Sequence, residues 1–170
     1  MKAKRVLPLA LLYTAGGHIK GRTRFQKLAF LSDQELEDYD IDPYDFIPYD
    51  YGPFDDSLYD NLEFLEKKGL IESKEKPTYG GDTRYDYRLT ERGKTTFEEN
   101  MPTDQLEDDE TAFEDLSEDQ NKTLTEGERK LYQIYQVAEQ VVEEYNGYPI
   151  SNLIDIVYDE YPEYAKNSIY

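Results

Sequence analysis

The sequence predicts a mainly α-helical fold with one small β-hairpin and a C-terminal helical extension. Apolar residues recur with the 3.6-residue period of amphipathic helices on both sides of a central segment. That segment, residues 70–89, contains two strand-like runs around a Gly-Gly turn. The chain has 170 residues, which is enough for one domain or two very small ones.

Two helices are predicted at the start of the chain. An apolar run predicts the first over residues 4–15, and Gly16 and Gly17 end it. Thr23 and Gln26 have the spacing of a capping box, which predicts the start of the second helix. Apolar residues of the second helix fall on more than one side, so we expect it to be buried.

A connector and a third helix follow. Residues 39–54 contain three prolines, which block a regular helix and leave room for a short edge strand. Either Asp55 or Asp56 is predicted to cap the third helix, which ends at Lys68 before a glycine.

The β-hairpin is predicted from residues 70–76 and 83–89, the second of which alternates tyrosine or leucine with charged residues. Thr90 is predicted to cap a short fourth helix. Three helices, a hairpin and a helix are the order of a winged helix-turn-helix, in which the hairpin is the wing. We therefore expect a winged-helix domain over residues 1–100.

The helical extension is predicted over residues 125–170. Thr125 and Glu128 form a second capping box, and an apolar stripe continues over residues 126–145. Ser151 is predicted to cap a last helix. Because such helices need an apolar partner, the extension either packs on the winged-helix domain or forms a homodimer through residues 126–145.

The charge of the chain is strongly acidic, with a net charge of −19. Residues 101–170 carry 18 acidic and 4 basic side chains, and residues 101–124 are predicted to be an acidic linker. This charge opposes binding to nucleic acid and anionic membranes at long range, and it suits a halophilic source. No apolar run reaches the length of a membrane span, so we expect a cytoplasmic protein.

The residues that enzymes and metal sites need are scarce. The chain has no cysteine and one histidine, His18, which is predicted to lie in a loop. Asp38, Asp40 and Asp42 have the spacing of a calcium loop, but Pro43 replaces its glycine. We therefore expect no enzymatic activity, no metal site and no cofactor.

Several motifs resemble a known family. "GRTRFQKLAFL", "YDFIPYDYGPFDDSLYDNLEFLEKKGLI", "YRLTERGK" and the tail "NLIDIVYDEYPEYAKNSIY" resemble the YwgA-like winged-helix proteins. More remotely, the chain is similar to the SocA-like (Panacea) antitoxin domains. The resemblance implies a helical domain with a small wing and no enzymatic activity. For Panacea relatives it implies regulation through a protein partner.

The first functional interpretation is a non-enzymatic regulatory or antitoxin-like protein that acts by binding a protein partner. The third helix carries four carboxylates and two lysines, which is unfavourable for contacts with phosphates. The connector is rich in aromatic residues, some of which could form a protein-binding patch. The candidate residues for protein interaction are Tyr49, Tyr51, Phe54 and Tyr59.

The alternative interpretation is a dimeric winged-helix transcription regulator that binds duplex DNA. Basic residues at the start of the second helix and on the hairpin could contact phosphates. A solvated surface paired with nearby acids is the opposing explanation. The candidate nucleic-acid contacts are Arg22, Arg24, Lys27, Lys74, Lys76, Arg84 and Arg88.

Overall fold

The computed structural model of the protein describes residues 2–101 and 124–169. The described helices are α1 (Ala3–Thr14), α2 (Arg22–Leu36), α3 (Ser57–Lys67), α4 (Glu91–Asn100), α5 (Glu126–Tyr145) and α6 (Ile150–Glu160). The described strands are β1 (His18–Lys20), β2 (Ile47–Tyr49), β3 (Gly52–Phe54), β4 (Ile71–Pro77) and β5 (Thr83–Leu89). None of these helices combines the length and apolar composition that a membrane crossing needs.

A three-stranded antiparallel sheet with the order β1-β5-β4 lies against the helices. Ile19 is opposite Tyr87 across β1 and β5, and Ile71 is opposite Leu89 across β4 and β5. Ile19, Ile71 and Tyr87 are buried because strand residues alternate between the two faces and this face meets the helical core. The fold is thus mainly α-helical with a small antiparallel sheet.

The hairpin predicted at residues 70–76 and 83–89 forms as β4 and β5, but β1 was not predicted. His18, expected in a loop, begins this strand. A three-residue strand has almost no pattern of its own and depends on its pairing with β5. Gly21 has a φ of +89° and donates its N–H to the carbonyl of Tyr85 at 3.1 Å, which turns the chain from β1 directly into α2.

Two of the predicted helix caps are confirmed. The Thr90 hydroxyl accepts a hydrogen bond from the N–H of Gly93 at 3.0 Å at the start of α4. The Thr125 hydroxyl accepts one from the N–H of Glu128 at 3.1 Å at the start of α5. Each bond satisfies an N–H that the first turn of a helix leaves without a partner.

The other predicted caps are wrong or altered. Thr23 lies inside the first turn of α2, because Gly21 occupies the N-cap position and redirects the chain there. Ser151 lies inside α6, which begins one residue earlier after a proline. At α3 the carboxylate of Asp55 accepts a bond from the N–H of Ser57 at 2.8 Å, so it contributes from one residue before the N-cap position.

A proline inside α1 is accommodated by a tyrosine from the connector. Pro8 has no N–H to offer the carbonyl of Lys4 one turn earlier. The hydroxyl of the buried Tyr44 donates to that carbonyl instead. The same connector contains the β2–β3 hairpin, in which Pro48 is opposite Pro53, where a single edge strand had been predicted.

The predicted C-terminal extension contacts the N-terminal helices. α5 packs against α1 and α2, and its Val137, Ala138 and Val141 belong to the same buried cluster as α1. The apolar stripe predicted to form a homodimer through residues 126–145 is therefore covered within one chain. The division into domain, linker and extension stays a prediction, and most of the linker at 101–124 lies outside the described residues.

Candidate nucleic-acid interface

The outer face of the three-stranded sheet carries all four lysine and arginine side chains of the β4–β5 hairpin. Side chains alternate along each strand, and the register places every second residue of β1, β5 and β4 on this face. It carries five cations and two carboxylates. We call it the basic sheet face, and its members are His18, Lys20, Glu72, Lys74, Lys76, Arg84, Asp86 and Arg88.

Asp86 neutralises part of this face. Its carboxylate accepts two hydrogen bonds from Arg84, at 2.9 and 3.1 Å, and lies 3.8 Å from the amine of Lys76. Within the described residues, the other three cations of this face, Lys20, Lys74 and Arg88, form no ion pair closer than 4.0 Å. The basic sheet face therefore keeps an excess of positive charge on a chain whose net charge is −19.

The start of α2 adds two further cations beside the sheet. Arg22 donates from Nε to the hydroxyl of Tyr87 at 3.1 Å, and its guanidinium lies 3.8 Å from the ring centre of Tyr85. Arg24 donates to the carbonyls of Asn146 and Tyr148 at 3.0 and 2.8 Å, at the turn between α5 and α6. Both guanidinium groups are thus held in fixed positions by the fold.

A groove of about 650 Å³ lies between β1, β5, the start of α2 and the α5–α6 turn. We call it the basic groove. No carboxylate lines it among the described residues. Its basic lining residues are His18, Lys20, Arg22, Arg24 and Arg84.

Lys27 does not belong to this surface, although the sequence suggested it as a nucleic-acid contact. Its side chain is 1% exposed, and its amine donates to the carbonyl of Tyr51. Burial lowers the pKa of Lys27 to about 8. The residue occupies the side of α2 that the β2–β3 hairpin covers, so it cannot reach a phosphate in solution.

The four predicted protein-interaction residues come together near the β2–β3 hairpin. The rings of Tyr49 and Phe54 stack with centres 4.7 Å apart, and Phe54 lies 5.7 Å from Tyr59. Tyr49 and Tyr51 are 48% and 50% exposed, and the neighbouring Ile47 is 55% exposed. These residues form an exposed apolar patch, whose role stays a prediction.

Sequence reasoning did not identify Lys20 as a site residue. Lys20 lies beside Asp86, and Lys74 lies on the opposite side of the same residue. The signal was present as a polar, apolar, polar triplet over residues 18–20 between two glycines. Such a triplet is too short to predict a strand without knowledge of its partner.

One family model matches part of the chain. Residues 52–99 match the transcriptional regulator PadR-like family, and the match spans β3, α3, the β4–β5 hairpin and most of α4. A search of curated proteins finds no match. The predicted resemblance to YwgA-like and SocA-like proteins is not confirmed by this match and stays a prediction. Over its third helix and its hairpin, the chain is similar to a family of winged-helix transcriptional regulators.

Proposed function

We propose that this protein is a non-enzymatic winged-helix transcription regulator that binds duplex DNA. The observation that carries the proposal is the basic sheet face, where five cations outnumber two carboxylates on a chain of net charge −19. The match of residues 52–99 to PadR-like regulators supports it, because the matched segment contains both α3 and the hairpin. This evidence favours DNA binding over the protein-binding interpretation.

The hairpin and the start of α2 are the proposed phosphate contacts, with β4 and β5 as the wing. α3 is a poor candidate for the major groove, since Asp60, Glu63 and Glu66 occupy its exposed side and Lys67 is paired with Glu63 at 3.0 Å. Arginine and lysine contacts to phosphates position a protein without reading sequence. We therefore propose binding dominated by the backbone of the duplex and strongly dependent on salt.

Replacing Arg84 and Arg88 together by alanine is expected to weaken binding to duplex DNA about tenfold or more at low salt. The two arginines lie on the basic sheet face, and each phosphate contact adds close to one unit to the salt dependence of affinity. The negative slope of log affinity against log salt should therefore become shallower by about 2. Fluorescence anisotropy with a labelled duplex at several salt concentrations measures both quantities.

Lys130→Ala is a control for the loss of one positive charge away from the sheet, because it removes a cation from α5 that pairs only weakly with Glu126, at 3.9 Å. Its binding curve should follow that of the parent protein. If the parent does not bind duplex DNA at low salt, or if the double variant binds as tightly as the parent, the proposed function is wrong.

A protein partner is the second candidate function, and the exposed apolar patch of Ile47, Tyr49 and Tyr51 is the observation that favours it. Aromatic residues are common anchors in protein interfaces. An antitoxin-like regulator would use this patch to bind its protein partner. A stoichiometric partner recovered from the native host by the parent, and lost with Tyr49→Ser and Tyr51→Ser, would support this function. Equal recovery with both variants would count against it.

A further inference from the structure

We infer that the basic groove is a binding site for a small molecule that carries several phosphate charges. The groove lies where the sheet, the start of α2 and the α5–α6 turn meet, and its volume of about 650 Å³ falls within the range of small-molecule sites. The ligand of this groove is a small molecule and is distinct from DNA.

The positive charge of the groove favours an anionic ligand. Its charged lining is entirely basic among the described residues, although the chain contains 38 acidic residues. Of the four cations, only Arg84 has a carboxylate partner, Asp86. About three positive charges thus remain for a ligand, so a compound with three or more negative charges complements the site best.

The lining also offers hydrogen-bond donors that are already positioned. The contacts of Arg22 with Tyr87 and Tyr85 hold its guanidinium while leaving both of its terminal NH₂ groups without a hydrogen-bond partner among the described residues. Thr23 and Thr83, which carry hydroxyl groups, also line the groove. Side chains that are ordered before binding lose less entropy when a ligand arrives, which favours a specific site over diffuse attraction.

The groove is lined both by the N-terminal part of the chain and by the α5–α6 turn. Arg24 lines it while donating to the carbonyls of Asn146 and Tyr148, and Asn146 and Ile150 line it from the α5–α6 turn. Lys20 and Arg84 belong to both the groove and the basic sheet face. A bound anion would therefore neutralise cations proposed to contact DNA, so it should compete with DNA. That competition rests on the proposed function, whereas binding of the anion does not.

Titration with tripolyphosphate by isothermal calorimetry at low salt, without DNA, tests the site. The parent protein should bind one equivalent, and inorganic phosphate should bind far more weakly because it carries less charge. Lys20→Gln should weaken tripolyphosphate binding about tenfold, which is the expected effect of losing one charged hydrogen bond. Lys20 is exposed and forms no ion pair in the described residues, so the variant is expected to fold.

Lys74→Gln is the matched control, since Lys74 lies on the other side of Asp86 from Lys20 and does not line the groove. It should leave tripolyphosphate affinity within about twofold of the parent. Equal losses in the two variants would show diffuse surface attraction and overturn the inference. Absence of tripolyphosphate binding would also overturn it, and in that case a loss of DNA affinity in Lys20→Gln would assign the groove to the DNA backbone. Failure of DNA binding alone would leave the calorimetric result intact.

Discussion

Replacing Gly93 by alanine is expected to destabilise the protein by about 3 kcal/mol or more, and to lower the melting temperature by about 10 °C. A Cβ atom at this position in α4 would lie 1.9 Å from the carbonyl oxygen of Leu70 and 2.8 Å from Cδ1 of Leu89. The carbonyl cannot easily retreat, because it also accepts a hydrogen bond from the N–H of Thr90 at 3.1 Å. The helix would have to move away from β4 and β5.

Gly127 in α5 provides the control for this substitution. It is also a helical glycine, but the nearest atom to its added Cβ is the Thr125 hydroxyl at 4.0 Å. Gly127→Ala should therefore stabilise the protein by up to about 1 kcal/mol, since alanine favours a helix more than glycine does. Urea unfolding of both variants measures the free energies. Unfolding of Gly93→Ala at the same urea concentration as the parent would contradict the close approach of α4 to Leu70.

The second large expected effect concerns Asp33, a carboxylic acid that is 3% exposed in α2. Burial raises its pKa from 3.8 to about 7, and the nearby carboxylates of Asp42, Glu37 and Asp55 act in the same direction. A hydrogen bond from the N–H of Tyr44 to Oδ1, at 3.3 Å, opposes the change. Because the pKa is higher in the folded state, the folded protein binds this proton more tightly than the unfolded chain does.

The sign of the pH dependence follows from that difference. The stabilising contribution is complete below pH 3.8 and is lost as the pH rises through about 7. A pKa change of this size corresponds to up to about 4 kcal/mol. Asp33→Asn keeps an oxygen acceptor for the N–H of Tyr44 and carries no charge. At about pH 7.5 the variant should therefore be more stable than the parent by up to about 4 kcal/mol. At about pH 4 the two proteins should be nearly equal in stability.

Urea unfolding at about pH 4, pH 6 and pH 7.5 checks this result. The upper limit stays below the pKa of about 8 of the buried Lys27, whose titration has the opposite effect on stability. Asp38→Asn removes the same charge from an exposed position and should leave the pH profile of the parent unchanged. A parallel pH dependence in Asp33→Asn and the parent would show that Asp33 is not the group responsible.

The elements that could be predicted from the sequence are those with a strong local pattern. α5 has a capping box and a long apolar stripe, and the β4–β5 hairpin has alternation and a glycine turn. β1 could not be predicted because three residues become a strand only through pairing with β5, whose paired residues lie 66 to 70 positions later in the chain. The β2–β3 hairpin was not predicted because its prolines argue against a regular strand, although prolines are tolerated in a two-stranded ribbon.

The candidate site was predictable in composition but not in geometry. The positive charge of the hairpin and of Arg22 and Arg24 was visible in the sequence. The burial of Lys27 was not, because it depends on the connector that folds over α2. Lys20 joined the site only once β1 was placed beside β5. Tertiary packing therefore decided which cations face solvent.

The packing of α5 on α1 and α2 limits how this protein can be shortened for experiments. A fragment trimmed to residues 1–100 would leave Leu7, Leu11 and neighbouring apolar side chains of α1 without the helix that covers part of this cluster. Such a fragment is expected to aggregate, because the uncovered apolar surface can associate with the same surface of other chains. Transplanting the hairpin and α3 alone into another regulator would likewise uncover the apolar side of α3, because that side packs against α1.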